Sequence, residues 1–263
     1  MKHPREPLPA HADDLPPLPA PYAAALDDGL RALGLSLEPE ARSAIDDHVR
    51  LLMAWNEAIN LTAVRDPVQI ARRHVLDSLA AVPLLRDLGA RRLLDLGSGG
   101  GFPGLPLALV TPAEALLVDS VGKKARFLEA VVVSLGLGGI VRVAADRAET
   151  LAVDPVHRER WPVVTARAVA ALPDLVELAW PLLQVGGRLV AWKRRPIDAE
   201  ISAAERALAG LEGAAPRGPR FEALALPDAI PGLEDHVLVV AGKERPAAAR
   251  FPRSPAQRKR HPW

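Results

Sequence analysis

Residues 93–106, LLDLGSGGGFPGLP, place five glycines and two prolines in fourteen positions, directly after an apolar run. Glycine permits left-handed backbone conformations and lets another molecule approach the main chain closely. A tight turn without a ligand explains one or two glycines, but it does not explain five in so short a segment. This stretch therefore predicts a ligand-binding turn at the end of a strand.

Short apolar segments alternate with helix-like segments around this turn. The predicted strands are 92–97, 115–119, 140–144, 163–167, 188–192 and 236–242, and the predicted helices between them lie near 103–110, 122–136, 171–183 and 198–211. Apolar strands separated by helices indicate an α/β fold whose mostly parallel sheet is covered on both faces. In such a sheet ligands bind outside the carboxyl ends of the strands, where this turn lies.

Three further regions flank the predicted sheet region, 86–243. Residues 1–22 are rich in proline and lack a periodic apolar pattern, so a disordered leader is expected. Residues 23–85 are expected to form a helical extension, with one helix from Pro39 and a second over about 68–82. A basic tail over 244–263 completes the predicted organisation.

The composition excludes several chemistries. The chain has 263 residues, of which 49% are hydrophobic, and it contains no cysteine. This length suits one substantial core, and the lack of cysteine excludes disulfides, thiolate metal sites and cysteine nucleophiles. No apolar run is long enough for a membrane span, and the first residues do not resemble a secretory signal. We therefore expect a cytoplasmic protein with no membrane partner.

Positive charge is concentrated near the C-terminal end. The net charge is +1, yet residues 242–263 carry seven lysines and arginines against the single acid Glu244. Such a tail is either a solvated, disordered segment or an arm that contacts RNA phosphates without reading sequence. The second interpretation makes Arg253, Arg258 and Lys259 candidate RNA contacts.

The spacing within the glycine-rich turn separates the possible ligands. A phosphate-binding P-loop requires a lysine directly after the glycines, whereas the next lysine is Lys123. A dinucleotide fingerprint, G-x-G-x-x-G, is present over 99–104, with Asp119 at a plausible distance. The pattern D-x-G-x-G-x-G from Asp95 is also similar to the first motif of Rossmann-like methyltransferases, which bind S-adenosylmethionine.

Five segments together resemble one family. They are WNEAINLT (55–62), RRHVLDS (72–78), LLDLGSGGGFPGLPLAL (93–109), VDSVGKKARFL (118–128) and TARAVAAL (165–172). Over roughly residues 23–243, and in the same order, they resemble the bacterial RsmG family, formerly called GidB. The resemblance implies a Rossmann-like class I S-adenosylmethionine-dependent methyltransferase, with a mostly parallel seven-stranded sheet, helices on both faces and a small N-terminal helical extension.

The resemblance also implies an activity and a partner. Members of the family transfer a methyl group from S-adenosylmethionine to N7 of one guanine in the 530 loop of 16S rRNA. The expected substrate is the small ribosomal subunit or a late precursor of it, and the expected form of the protein is a monomer. A small-molecule methyltransferase, a nicotinamide-dependent oxidoreductase and a non-catalytic ribosome-assembly factor remain as alternatives.

The resemblance assigns site residues position by position. The implied cofactor-binding residues are Asp95, Gly97, Gly99, Phe102, Asp119, Ala148, Glu149 and Arg167. Asp119 is expected to accept hydrogen bonds from both ribose hydroxyls, since a carboxylate offers two oxygens. The candidate RNA contacts are Asn60, Thr62, His74, Lys193, Arg194, Arg253, Arg258 and Lys259. Arg194 departs from the family, which usually has glycine at this position.

The chemistry of guanine N7 requires no acid–base residue. N7 carries an in-plane lone pair and no proton, so it can attack the sulfonium methyl group directly, and the enzyme's task is alignment and the exclusion of water. We therefore expect no dedicated catalytic residue. His74 and Asp77 share a helix face, but nothing nearby supplies a third ligand, so no metal site is expected.

Overall fold

The computed structural model describes residues 8–213 and 218–263 and is built around one seven-stranded sheet. The strand order is β3-β2-β1-β4-β5-β7-β6. The strands are β1 (Arg92–Leu96), β2 (Glu114–Val118), β3 (Val141–Ala144), β4 (Trp161–Arg167), β5 (Leu183–Arg194), β6 (Phe221–Ala225) and β7 (His236–Gly242).

The first five strands pair in parallel, whereas β7 pairs antiparallel with both β5 and β6. All six predicted strands are present, so the prediction of a mostly parallel sheet is confirmed. The sequence prediction missed β6, which lies at the edge of the sheet and whose residues are exposed or half-buried. A strand that is not covered on both faces lacks the continuous apolar run that marks a buried one.

Helices cover both faces because consecutive strand residues point to opposite sides; in β1, Leu93 and Leu94 belong to different apolar clusters. The first face carries α1 (Ala20–Ala32), α2 (Pro39–Ile59), α3 (Pro67–Ile70), a π-helical turn (Ala71–Leu76), α4 (Asp77–Leu79), α5 (Val82–Asp87), α6 (Gly104–Val110) and α7 (Gly122–Ser134). The second carries α8 (Ala148–Val153), α9 (Leu172–Ala179) and α10 (Asp198–Glu212), and α11 (Pro255–Arg260) lies in the tail.

The N-terminal residues differ from the expected leader. Residues 12–14 form a short 3-10 helix with Ala12 buried, and Trp55 Nε1 donates a hydrogen bond to the carbonyl of Pro9 at 2.8 Å. Arg50 Nε donates to the carbonyl of Pro16 at 3.1 Å. Proline loses little backbone entropy on ordering, so a few contacts to α2 hold this segment. Residues 1–7 lie outside the described residues.

The basic tail also packs against the core instead of extending into solvent. Ala247 and Phe251 are buried in the second apolar cluster. The Arg158 guanidinium donates to the carbonyls of Phe251, Ala247 and Ala248. The part of the tail around Ala247–Phe251 is therefore packed, unlike the solvated, disordered segment of the first interpretation. Within the described ranges, no helix combines the length and apolar character needed to cross a bilayer.

Candidate functional site

The turn after β1 is held from below by Asp95. This side chain is fully buried; its Oδ1 accepts a hydrogen bond from the Thr165 hydroxyl at 2.7 Å, and its Oδ2 accepts one from Gly104 N at 3.2 Å. Burial raises the pKa of the Asp95 carboxyl to about 6. The hydrogen bonds to this carboxyl favour its charged form and lower the pKa, but their effect is smaller than that of burial. Asp95 thus organises the turn from beneath, and its predicted contact with the cofactor stays a prediction.

The glycines of the turn serve two purposes. A Cβ on Gly101 would lie 2.5 Å from Leu105 Cδ1 and 2.8 Å from His48 Nε2, and Gly101 adopts a φ of +90°, so packing and backbone conformation both favour glycine here. A Cβ on Gly99 meets only a carbonyl oxygen, at 3.7 Å, and Gly99 adopts a φ of +55°. The bare backbone over 97–100 lines an open cleft. The turn therefore leaves room for a ligand at its outer side, as the sequence predicts.

Asp119 follows β2 and braces the same turn. Its Oδ2 accepts a hydrogen bond from Gly99 N at 3.0 Å, and its Oδ1 accepts one from Val121 N at 2.9 Å. A carboxylate has about four acceptor positions, so each oxygen keeps one for a further donor. This arrangement suits a vicinal pair of ribose hydroxyls.

A cleft with a volume of about 490 Å³ opens at the carboxyl ends of β1, β4 and β5. Eight predicted site residues line it: Thr62, His74, Gly97, Gly99, Phe102, Arg167, Lys193 and Arg194. Eleven other residues line it as well, and five of these carry charged or aromatic side chains but were not among the predicted site residues: Arg73, Asp77, Lys124, Trp192 and His236. The prediction therefore found the cleft but not its whole wall.

Aromatic rings form the floor of the cleft. The Phe102 ring stacks on His48 at 4.6 Å and on His74 at 5.1 Å between centroids. His74 Nδ1 donates to the carbonyl of Arg73 at 3.0 Å, and its Nε2 accepts from the Thr62 hydroxyl at 2.7 Å. Burial, reinforced by the nearby Arg167 guanidinium, lowers the pKa of His74 to about 4, so the ring is neutral at pH 7.

The far wall of the cleft is organised by Asp77, directly after the π-helical turn. Its carboxylate is 1% exposed and accepts from Arg167 Nη1 at 2.9 Å and from His236 Nδ1 at 2.8 Å. The Trp192 indole donates to the backbone carbonyl of Asp77 at 2.7 Å. One residue of the helical extension thus joins the ends of β4, β5 and β7. π-helical turns occur frequently at functional sites.

Comparison with known proteins identifies the family. A family model described as "rRNA small subunit methyltransferase G" (GidB) matches residues 41–219, which is more than half of the chain. The chain belongs to this family. The predicted family is thereby confirmed.

Relatives in the methyltransferase G family match most of the chain. A protein of Roseiflexus castenholzii named "Ribosomal RNA small subunit methyltransferase G" is 43% identical over 235 residues, covering 88% of this chain and 94% of that protein. One of the same name from Symbiobacterium thermophilum is 39% identical over 237 residues, with the same coverage of each chain.

A solved structure of the O-methyltransferase from Bacillus cereus matches with a TM-score of 0.52 at 17% identity, covering 79% of this chain and 92% of that one. Such a likeness shows the fold alone. It confirms the predicted Rossmann-like class I methyltransferase fold for this member of the methyltransferase G family.

Among the described residues, two other predicted cofactor residues of this family member, Ala148 and Glu149, do not line the cleft. Ala148 and Glu149 begin α8, four residues after β3, and the β3 residue Ala144 accepts a hydrogen bond from Asp119 N. The Glu149 carboxylate forms an ion pair with the Arg258 guanidinium of the tail. Its charge is therefore balanced within the protein.

Several predicted RNA contacts have partners within the protein. Arg253 pairs with the fully buried carboxylate of Glu177 at 2.6 Å, and Arg258 pairs with Glu149. Both arginines thus have a carboxylate partner within the protein, and their contact with RNA phosphates stays a prediction. Lys259 is exposed on α11.

Two other predicted RNA contacts, Asn60 and Lys193, have structural roles of different kinds. Asn60 is exposed and ends α2 in a left-handed conformation. The Lys193 ammonium donates to Glu200 Oε2 at 2.7 Å and to the carbonyl of Ala170 at 2.9 Å. Arg194, next to it, is exposed at the mouth of the cleft.

The buried histidines predict a loss of stability in acid. Burial lowers the pKa of His48 to about 4 from an ordinary value of 6.5. Between these two pKa values the unfolded chain binds protons more readily than the folded chain does. The stability that the neutral, buried ring contributes is therefore present above pH 6.5 and is lost as the pH falls toward 4. Asp95, with its raised pKa, acts in the opposite direction between pH 4 and 6.

We expect His48→Gln to remove part of this pH dependence. Both proteins should lose unfolding free energy between pH 7 and pH 4.5, and the loss should be about 2.5 kcal/mol smaller in the variant than in the parent. Denaturant unfolding at both pH values measures the difference, and His11→Gln, at an exposed position, is the control. Equal losses in His48→Gln and the parent would contradict the prediction.

Proposed function

We propose that this protein transfers the methyl group of S-adenosylmethionine to N7 of one guanine in the 530 loop of 16S rRNA, in the small subunit or a late precursor. The observation that carries the proposal is a basic cleft joined to a bare glycine turn. Five basic side chains line the cleft: Arg73, Lys124, Arg167, Lys193 and Arg194. The carboxylate among the lining residues, Asp77, is already paired. Such a lining favours phosphate-bearing RNA over a small neutral substrate.

The residues present fit the cofactor. The cavity volume lies within the range of about 300–1,000 Å³ that small-molecule sites occupy. Gly97 and Gly99 would hold the methionine end, Asp119 the ribose hydroxyls, and the start of α8 at Ala148 and Glu149 the adenine. Phe102 supplies an apolar wall, and Arg167 a cation for the cofactor carboxylate. When bound, S-adenosylmethionine supplies a methyl group made electrophilic by the sulfonium.

The protein's own contribution is alignment, because guanine N7 has no proton to remove. His74 is neutral, and its two ring nitrogens are engaged with the Arg73 carbonyl and the Thr62 hydroxyl. Asp77 accepts two hydrogen bonds, and Asp95 is sealed beneath the turn. None of these groups is free to act as a general base. The apolar floor excludes water from the methyl group, and the cations fix the RNA backbone.

The activity is tested with small subunits from cells that lack the modification. Incubation with methyl-labelled cofactor should place label at one guanine of 16S rRNA, detected by borohydride and aniline cleavage at N7-methylguanosine. Calorimetry with S-adenosylhomocysteine and with NADH is run in parallel. Cofactor binding without label in the rRNA would contradict the substrate, and binding of NADH alone would favour an oxidoreductase. We also propose that the protein acts as a monomer in the cytoplasm.

Arg194 provides a test of the RNA-binding side. Its exposed guanidinium at the cleft mouth should contact a phosphate, so Arg194→Ala should raise KM for subunits about fivefold and lower the salt slope of binding by about one. The affinity for S-adenosylhomocysteine should not change. Arg86→Ala is the matched control, since Arg86 is exposed at the end of α5, before β1 begins, at the opposite edge of the sheet. Equal effects of the two substitutions would contradict the role of Arg194.

A further inference from the structure

The loop after β4, residues 168–171, packs directly on the glycine turn. A Cβ built on Gly97 would lie 2.7 Å from Val169 Cγ2, so the Val169 side chain fills the space beside that glycine. Gly97 adopts a φ of +68° and lines the cleft, and Ala168, next to Val169, lines the same cleft. The backbone that is proposed to hold the methionine end of the cofactor therefore has this loop as its neighbour.

The loop adopts a backbone conformation that requires support. Ala168 has a φ of +56°, in the left-handed region that residues with a Cβ adopt uncommonly. Such conformations persist where the surrounding structure holds them, and they cluster at functional sites. No regular secondary structure lies between the end of β4 at Arg167 and the start of α9 at Leu172. The shape of the loop is therefore set by tertiary contacts.

One ion pair supplies contacts on both sides of the loop's last residue. The Lys193 ammonium, near the end of β5, donates to the carbonyl of Ala170 at 2.9 Å and to Glu200 Oε2 at 2.7 Å. Glu200 lies in the first turn of α10, and the same oxygen accepts from Leu172 N at 2.7 Å. The pair thus holds the carbonyl before Ala171 and the N–H after it.

Lys193 and Arg194 are adjacent cations with different surroundings. The Lys193 side chain is 13% exposed, and its charge is matched by the Glu200 carboxylate. Arg194 is exposed at the mouth of the cleft. A cation that already has a carboxylate partner contributes less to phosphate binding than an exposed one, because its pairing releases no counterion from RNA. The two residues therefore suit different parts of the cleft.

We propose that Lys193 and Glu200 are positioning residues for cofactor binding: by fixing the loop over 168–171 they hold Val169 against Gly97 and keep the glycine turn in its binding conformation. The inference rests on the proposed function. Without the pair, the loop and the turn adopt other conformations as well. The apparent affinity for the cofactor then falls in proportion to the fraction of molecules whose turn is able to bind.

Three substitutions test successive parts of this chain of contacts. Lys193→Met removes both hydrogen bonds and keeps an unbranched side chain of similar length. We expect it to raise the dissociation constant of S-adenosylhomocysteine about tenfold, which corresponds to a binding-competent fraction of about 0.1. Glu200→Gln keeps an acceptor oxygen but loses the charge, and Val169→Ala removes the methyl contact with Gly97; each should raise this constant about threefold. The double variant Lys193→Met/Glu200→Gln should match Lys193→Met alone, because both residues act through one loop.

The matched control is Asp198→Asn, since Asp198 is an exposed acid in the same first turn of α10. It should bind S-adenosylhomocysteine within about twofold of the parent. Calorimetry is run well below the melting temperature of each variant, so a loss of stability alone leaves the affinity unchanged. Binding of Lys193→Met to small subunits over a range of salt concentrations should keep the salt slope of the parent.

Parent-like affinity for S-adenosylhomocysteine in Lys193→Met or in Val169→Ala would overturn the assignment, as would losses that multiply in the double variant or an equal loss in Asp198→Asn. A lower salt slope of subunit binding in Lys193→Met, with S-adenosylhomocysteine affinity intact, would make Lys193 an RNA contact instead. Failure of the proposed function is recognised separately, because the parent protein would then bind S-adenosylhomocysteine without methylating the subunits, or would not bind it at all.

Discussion

Replacing Asp119 with asparagine is expected to lower the affinity for S-adenosylmethionine at least about 100-fold. The carboxylate accepts hydrogen bonds from Gly99 N and Val121 N and keeps acceptor positions for the ribose hydroxyls. Asparagine has only one acceptor oxygen. Its amide nitrogen is a donor, so it would face a backbone N–H or a ribose hydroxyl that also donates, and that hydrogen bond would be lost. A hydrogen bond to a charged group contributes about 1.5–3 kcal/mol, and two such bonds are at stake. Calorimetry with S-adenosylhomocysteine measures the loss.

The matched control for this substitution is Asp154→Asn. Asp154 Oδ1 accepts from Val156 N at 2.9 Å, the same local turn that Asp119 Oδ1 makes with Val121 N, but on an exposed loop after α8. Both variants lose the charge of one turn aspartate, and only Asp119→Asn should lose cofactor affinity. If both variants bind S-adenosylhomocysteine as the parent does, Asp119 does not hold the ribose.

Replacing Arg253 with alanine is expected to destabilise the protein by about 3 kcal/mol. The Glu177 carboxylate is fully buried and accepts hydrogen bonds from Arg253 Nε, Nη2 and backbone N and from the Trp263 indole at 2.7 Å. Without the guanidinium, a buried charge loses its ionic partner, which costs about 3–5 kcal/mol. For a chain of this size the melting temperature should fall by about 8 °C, measured by calorimetry or circular dichroism.

Two further variants identify the cause of that loss. Arg260→Ala removes an exposed cation from the same tail and should leave the melting temperature within about 1 °C. The double variant Arg253→Ala/Glu177→Gln removes the buried charge as well, so it should recover part of the loss. If Arg253→Ala melts with the parent, the tail is not anchored through Glu177. A loss of subunit binding without a change in stability would instead support Arg253 as an RNA contact.

The features that the sequence predicted are those with a local physical cause. Continuous apolar runs mark strands that are covered on both faces, and this pattern located six strands within a few residues. Glycines that must adopt left-handed conformations or admit a ligand marked the turn over 97–101. The order of strands and helices placed that turn at the ligand-binding edge. The edge strand β6 was not predicted, because it is not buried on both faces and therefore has no continuous apolar run.

The tertiary structure decided which charges are free and which are paired. Arg253 and Glu177 are 76 residues apart, and His236 and Asp77 are 159 residues apart. Composition gives the sum of the charges in the tail, but the partner of each charge depends on how the chain returns to the core. Asp95 is a second example of what the sequence could not predict. Its position in the motif indicated that it belongs to the site, but only the structure shows that it is buried and supports the turn.

By itself, the sequence determined the sheet, the glycine turn and the family, because apolar periodicity and glycine spacing act over a few residues. Only the folded chain decided that the tail is anchored, that Asp95 lies beneath the turn, and that Asp77 and His236 form one wall of the cleft. Ion pairs and buried hydrogen bonds join groups that are close in space and distant in sequence. Their partners are therefore set by packing and not by any local pattern of residues.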